Sequence, residues 1–288
     1  MSTGKELITV IIITFNSSEF IEGCIKSLIR YWTNKYLRQI VVIDNGSSDN
    51  TKKEIEKKIR HGIITNHNKK NLGFSKGVNK GIRLQRQSDY FLLINPDTEI
   101  CRSAISIMAT EIKRTKAGVC GGKTVGYNNE TLGDHFRQVS LPVGLFDFTN
   151  LRKIITNDFW HRQFYYMDKN IADTQEVDAV TGGFMMITRD TIKQIGYFDE
   201  KFFMYLEDMD YCLRARENGI KTIYCPKAIT KHYGGGSSNN KTRSNICAWL
   251  KSRRYYFLKH FSPIPNLIIQ PIFIIDGWLI QIKELFHL

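Results

Sequence analysis

A chain of 288 residues holds one large domain, or a domain with an appendage, and its 42% hydrophobic content supports a packed core and excludes intrinsic disorder. The formal charge of +13 draws phosphates, nucleic acids or anionic membrane surfaces. The cysteines Cys24, Cys101, Cys120, Cys212, Cys225 and Cys247 include no CxxC pair, which argues against a zinc site or a disulfide framework and fits a reducing cytoplasm. No signal peptide is apparent, because residues 1–6 lead directly into a strand-like run.

Residues 7–14 are β-branched and almost wholly apolar, the pattern of a strand buried on both faces. Ser17 or Ser18 is placed to cap the next helix, whose Phe20, Ile21, Cys24, Ile25, Leu28 and Ile29 recur with helical period. A second strand is expected over 40–43, then a turn over 44–49 into a helix over about 51–60. A short strand over 63–66, a helix over 73–87 and a strand over 90–94 follow. This alternation implies a parallel α/β sheet with right-handed crossovers. Residues 126–176 lose the rhythm and read as long loops and short helices.

Order returns over 177–188, a strand-like run interrupted by Gly182 and Gly183. A helix over 207–218 with Gly219 as its C-terminal cap precedes a strand over 220–225. The glycine-rich segment 234–240 reads as a lid or hinge. Residues 242–261 form a basic, aromatic helix that Pro263 and Pro265 end. Residues 266–288 are strongly apolar but carry Pro271, Asp276 and Lys283. Their longest uncharged stretch, 267–275, falls short of the roughly 20 residues of a spanning helix. An amphipathic helix on a membrane surface or a partner is therefore favoured over one packed on its own domain.

Three polar clusters fall at the carboxyl ends of strands, where parallel sheets bind ligands: Thr14-Phe15-Asn16, Asp44-Asn45-Gly46 and Asn95-Pro96-Asp97. A shared ligand explains all three. A hairpin turn at Asn45-Gly46 is disfavoured, because helix-like residues follow where a second strand is needed. A carboxylate at a strand exit suits a divalent cation, and the second acidic cluster, Glu207-Asp208-Met209-Asp210, offers a base. Together they suggest metal-assisted chemistry on a phosphorylated substrate. The P-loop look-alike at 118–124 has three residues between Gly118 and Gly122 where four are needed. No GxGxxG opens the first helix, and no RNA-recognition or helix-turn-helix signature is present.

In order and spacing, Val10-Ile11-Ile12-Ile13-Thr14-Phe15-Asn16, Val41-Val42-Ile43-Asp44-Asn45-Gly46-Ser47-Ser48-Asp49, Asn71-Leu72-Gly73-Phe74, Leu93-Ile94-Asn95-Pro96-Asp97, Thr181-Gly182-Gly183-Phe184-Met185 and the run 198–210 form one pattern. Over about 7–256 the chain resembles inverting glycosyltransferases of family 2, of the rhamnosyltransferase-like branch that builds O-antigen and other bacterial surface polysaccharides. The resemblance implies the GT-A fold: a mostly parallel central sheet flanked by helices, with a nucleotide-sugar half over about 1–125 and an acceptor half over about 126–240. A basic, amphipathic helical extension over 241–288 completes the chain.

The same resemblance assigns roles. Asp44 hydrogen-bonds the nucleotide's base or ribose, with Thr14 and Asn16 beside it, and Asn71 and Gly73 line the base pocket. Asn95-Pro96-Asp97 stands where many relatives carry Asp-x-Asp, so Asp97 alone gives a carboxylate and Asn95 a neutral oxygen. The implied cofactor is Mg²⁺ or Mn²⁺, completed by the donor's diphosphate, and His232 matches a further metal ligand of some relatives. Asp208 is the candidate base, Glu207 orients it or meets the acceptor, and Asp210 faces solvent or an arginine such as Arg214. Gly182 and Gly183 pass close to the donor sugar, a β-bulge being the alternative. Lys231, Lys241 and Arg243, around the glycine loop, suit the phosphates.

The expected activity is that of a hexosyltransferase moving L-rhamnose from dTDP-rhamnose, or second a UDP-hexose, to a lipid-linked saccharide. Its basic, apolar tail would hold it on the anionic inner face of the plasma membrane, and a homo-oligomer is allowed. A nucleotidyltransferase would want a basic loop near the first strand, and a nucleic-acid-binding protein leaves the acidic strand ends unexplained. An inactive scaffold has no need of both Asp97 and Asp208.

Overall fold

The computed structural model describes residues 5–33, 35–57, 62–126, 130, 133–154, 158–233 and 243–285. The first strand, β1 (Leu7–Thr14), is buried on both faces, as its unbroken apolar sequence requires. There follow α1 (Ile21–Arg30), β2 (Leu37–Asp44), α2 (Thr51–Glu56), β3 (Ile63–His67), α3 (Phe74–Leu84) and β4 (Tyr90–Ile94). Their strands pair in parallel in the order β3-β2-β1-β4, the alternating unit expected from the sequence. One local expectation fails. No side chain caps α1; the Ser17 carbonyl instead accepts from the amides of Phe20 (3.1 Å) and Ile21 (3.0 Å). Ser17 and Ser18 serve the sheet edge, their amides donating to Thr51 Oγ1 (2.7 Å) and Asp49 Oδ2 (3.1 Å).

The second half adds strands of both directions. β5 (Thr98–Ile100), α4 (Ala104–Thr115) and β6 (Val119–Val125) come first. The P-loop look-alike lies in β6, a buried strand. Its Gly121 and Gly122 make room for neighbours: a Cβ would sit 2.5 Å from Val180 Cβ and 2.3 Å from the Phe184 ring, respectively. Short elements then occupy the irregular middle: β7 (His135–Phe136), α5 (Leu141–Phe146), α6 (Leu151–Ile154), α7 (Phe159–Phe164) and β8 (Gln175–Glu176). The run interrupted by glycines becomes β9 (Ala179–Val180) and β10 (Phe184–Thr188), followed by α8 (Arg189–Ile195), α9 (Glu207–Glu217) and β11 (Thr222–His232). Two helices close the chain, α10 (Arg243–His260) and α11 (Pro263–Leu285).

β10 is inserted antiparallel between β4 and β6, giving the order β3-β2-β1-β4-β10-β6-β11-β5, with β8 also on β11. β11 runs seven residues past the strand expected at 220–225, through a register shift between Cys225 and Ile229. Pro226 lacks the amide a regular ladder needs, and the irregularity absorbs it. The extension carries His232 beside Thr98 on β5.

Alternate residues of each strand feed two cores. One face of the sheet packs Ile8, Val10 and Ile12 against α1 and α4. The other packs Ile11, Phe91, Leu93 and Met185 with residues of α9, α10 and α11, among them Tyr211, Tyr256, Phe257, Ile269 and Phe273. The C-terminal helices thus share this second core. The helix expected over 266–288 packs one face on its own domain, with the other face exposed.

Candidate active site

A cavity of about 530 Å³ opens at the carboxyl ends of β1, β2 and β4 and extends toward α9 and α10. Thr14, Asn16, Asn71, Gly73, Asn95, Gly182, Gly183, Glu207 and Asp208 all line it; Asp44, Asp97 and His232 do not. The fold therefore brings together residues up to about two hundred positions apart in sequence.

At the sheet edge, the ends of β1 and β2 are stitched together. Asn16, with φ of 51°, accepts from the Ser48 amide (2.9 Å), and its own amide donates to Ser47 Oγ (2.8 Å). Asp44 is turned inward. Its Oδ1 accepts from the Ser47 hydroxyl (2.5 Å), and its Oδ2 lies 3.1 Å from His67 Nδ1. Its neighbour Asn45 lines the cavity, donating to the Gly73 carbonyl (3.0 Å) and accepting from Asn68 Nδ2 (2.9 Å). Thr14 Oγ1 is buried with no hydrogen-bond partner among the described residues. Gly73 has φ of 85°, and a Cβ there would sit 2.4 Å from the Phe203 carbonyl. Its glycine is needed for that contact between the two halves, whatever the ligand does.

The acidic side is built on strained backbone. Tyr205 (φ 74°) and Leu206 (φ 65°) are consecutive left-handed residues immediately before α9. Such conformations cost of order 1–3 kcal/mol each and persist where surroundings enforce them. Asn79 anchors the start of the segment that leads into the bend. Buried on α3, it donates to the Phe198 carbonyl (2.9 Å) and accepts from the Phe198 amide (3.0 Å). The bend presents the first turn of α9 to the cavity. Asp208 Oδ2 accepts from the Gly182 amide (2.9 Å) and Oδ1 from the Met209 amide (2.8 Å). Burial raises the Asp208 pKa, and burial together with the Asp208 charge raises Glu207 well above the usual carboxylate range. Glu207 Oε2 has no partner among the described residues. Burial of these two neighbouring carboxyls therefore disfavours charge on both at once.

Asp210 does not face solvent; it is fully buried. It accepts from Arg214 Nε (2.9 Å), with Lys259 Nζ at 2.6 Å and His260 Nε2 at 2.8 Å from Oδ1. Burial pushes its pKa up, but His260 and Lys259 outweigh burial and hold it low. This cluster ties α9 to the end of α10.

Asp97 is 2% exposed, and its Oδ1 lies 3.2 Å from His232 Nε2. Hydrogen bonding to Asp97 raises the His232 pKa. Asp97 Oδ2 has no donor among the described residues. A buried carboxylate with one oxygen lacking a donor among the described residues, beside an imidazole, suits an ion such as Mg²⁺ or Mn²⁺. Among the described residues no group of three His, Cys, Asp or Glu is close enough to hold an ion by itself. The glycine segment 234–240 and Lys241 lie outside the described residues; Lys231 and Arg243 do not line the cavity.

Sequence reasoning gave no account of the far wall. Phe136, Phe148, Phe164, Tyr165, Tyr205 and Trp249 make it aromatic, with Trp249 edge-on to Phe148 (5.0 Å) and Tyr205 (5.9 Å). The aromatic content of the irregular middle was the available signal. Only the fold reveals that these rings converge.

A family model described as glycosyl transferase family 2 matches residues 9–196. The low-salt glycan biosynthesis hexosyltransferase Agl10 of Haloferax volcanii is 29% identical over 224 residues, 76% of this chain. The chain spans 64% of that relative's length. The N-acetylglucosaminyl-diphospho-decaprenol L-rhamnosyltransferase of Mycobacterium tuberculosis is 23% identical over 268 residues, 88% of this chain and 84% of that one. Among solved structures, GalNAc-T7 with UDP, GalNAc and Mn²⁺ superposes with a TM-score of 0.65 at 14% identity, over 86% of this chain and 48% of that one. That likeness is one of fold, and the fold is GT-A.

Proposed function

The chain belongs to glycosyl transferase family 2, and we propose that it is an inverting enzyme that moves a sugar from a nucleoside diphosphate to a hydroxyl of a lipid-linked saccharide. The observation that carries this reading is Asp208, fixed by the Gly182 amide on the cavity wall, facing the polar ends of β1 and β4.

Thr14, Asn16, Asn45 and Asn71 take the nucleotide, and Gly182 and Gly183 leave space for the donor sugar beside Asp208. The aromatic wall takes the acceptor, whose sugar faces suit flat rings. Asp208 accepts the proton of the acceptor hydroxyl as that oxygen attacks the anomeric carbon. The bond from this carbon to the diphosphate oxygen breaks with its electron pair on the phosphate, so one displacement inverts the configuration. Asp97 and His232, with Asn95, would hold a divalent ion, which when bound neutralises charge on the departing diphosphate.

We favour L-rhamnose on dTDP as the donor, supported by the likeness to the mycobacterial rhamnosyltransferase. A UDP-hexose is the second reading, supported by the fold shared with a UDP-bound transferase. The reading places the enzyme at the cytoplasmic face of the membrane that holds its acceptor. Incubating the protein and Mn²⁺ with each nucleotide sugar and a lipid-linked acceptor, then reading the product's anomeric configuration by NMR, tests it. Inversion is expected; retention would overturn the single-displacement mechanism.

A further inference from the structure

We propose that α10 and α11 form a docking surface for an anionic membrane leaflet, with α11 lying along the leaflet and not crossing it. This deepens the lipid-linked acceptor reading and rests on it for its purpose, but its test needs no turnover.

By length and composition α11 resembles a membrane span: Pro263–Lys283 has a mean hydropathy of 1.4. Its outer face is one apolar stripe. Ile264, Leu267, Ile268, Ile275, Trp278 and Leu279 follow at helical spacing, and Leu267 and Trp278 are 76% and 65% exposed. More than half of the exposed large apolar side chains among the described residues lie on these two helices. So concentrated a patch marks an interaction surface.

The inner face forbids crossing. Ile269 and Phe273 are buried in the core shared with α9 and α10. Asn266 Nδ2 donates to the carbonyls of Phe257 (3.0 Å) and Phe261 (2.9 Å). Asp276 pairs with the fully buried Arg253 at 2.6 Å. A spanning helix would carry Asp276 into hydrocarbon and strip Arg253 of its counter-ion. A helix that keeps one face on protein and offers the other to acyl chains has neither problem.

Charge selects the occupant. Arg243, Lys251 and Arg254 are exposed on α10, and Lys283 on α11. Asp276 is the only acidic residue between positions 243 and 283, and it is buried and paired. A groove of about 420 Å³ between the helices has Leu250, Leu258, Phe273 and Trp278 in its walls and Lys251 and Arg254 beside them. Apolar walls with cations alongside match acyl chains under phosphate headgroups. A second copy of the chain would bring like charges together, so the leaflet is the better complement. The opposite face of α10 carries Trp249, Asn245 and Ser244 into the catalytic cavity. Docking thus holds the cavity about one helix diameter, ~10 Å, from the headgroups.

The full chain is to be sedimented with vesicles of phosphatidylcholine, with and without phosphatidylglycerol. Binding is expected only with the anionic lipid and should be reversed by alkaline carbonate. Leu267→Glu with Trp278→Glu should lower the bound fraction about tenfold or more without changing thermal unfolding. Lys251→Glu with Arg254→Glu should remove the preference for phosphatidylglycerol. No vesicle binding by the unaltered chain would overturn the proposal. Resistance to carbonate would show a spanning helix, and a dimer dissolved by Leu267→Glu would show a second copy as the occupant. Transfer to a water-soluble acceptor, measured separately, distinguishes failure of docking from failure of the catalytic reading.

Discussion

The pair Arg253–Asp276 sets how firmly α11 is fixed, and its removal has a calculable consequence. Arg253 is fully buried; it donates to Asp276 Oδ2, to the Phe148 carbonyl and to the Phe273 carbonyl (2.9 Å), and lies 4.7 Å from the Phe273 ring centroid. Asp276 Oδ1 accepts from the amide and side chain of Asn150 (2.9 and 3.0 Å). Burial lowers the Arg253 pKa, and Asp276 opposes that shift. Asp276→Leu would leave a buried cation facing two carbonyls and two idle Asn150 donors. Breaking such a pair from one side costs about 3–5 kcal/mol, a large share of the roughly 5–15 kcal/mol that holds a typical domain. Replacing both partners, Arg253→Met with Asp276→Leu, removes the stranded charge and should recover most of the loss. Urea unfolding of the four proteins in a double-mutant cycle measures the coupling. A single replacement that costs under about 1 kcal/mol would refute the picture of a latch, because a buried, unpaired guanidinium cannot be that cheap.

Asp97→Ala and His232→Ala should each abolish the Mn²⁺-dependent part of nucleotide binding in titration calorimetry, and equal affinity with and without Mn²⁺ in the unaltered protein would remove the metal role. Glu207→Gln mimics the protonated acid and should keep turnover at neutral pH within roughly tenfold, above the 100-fold or larger loss typical of a missing general base. The acid limb of kcat/KM should lie above the ordinary carboxylate range, because burial raises Asp208. Asp134, buried beside the Thr124 amide, has its pKa raised by burial from 3.8 to about 7. The folded form holds that proton where the unfolded chain has released it, so this stability is complete at low pH and is lost as pH rises through 7. Asp134→Asn should remove up to roughly 4 kcal/mol of that slope, read as Tm against pH, and an unchanged slope would contradict the assignment.

The parallel half of the fold was legible because its strands are unbroken apolar runs and its helices have clean periodicity. The antiparallel insertion was harder to read. β6 carries Gly121 and Gly122 where Val180 and Phe184 press on it, so its sequence imitates a phosphate loop. β11 continues through Pro226, which ordinarily ends a strand. At the site, the short polar motifs at strand ends supplied Thr14, Phe15, Asn16, Asn45, Asn95 and Pro96, a minority of the cavity's residues. They could not tell which of two neighbours lines the cavity: Asp44 turns to Ser47 and His67, and Asn45 takes the wall. Nor could they show the left-handed bend at Tyr205 and Leu206, which is enforced by tertiary contacts and carries no glycine to announce it. For Asp210 the expected arginine, Arg214, is in place, but its other partners Lys259 and His260 lie some fifty residues on and gave no local signal of burial.

The most direct test of the account is single-turnover transfer by Asp208→Asn, with nucleotide binding measured on the same preparation. The substitution removes the acceptor for the hydroxyl proton but keeps an oxygen able to accept from the Gly182 amide. The account predicts transfer reduced by about 100-fold or more with nucleotide affinity nearly unchanged. Undiminished transfer would contradict it.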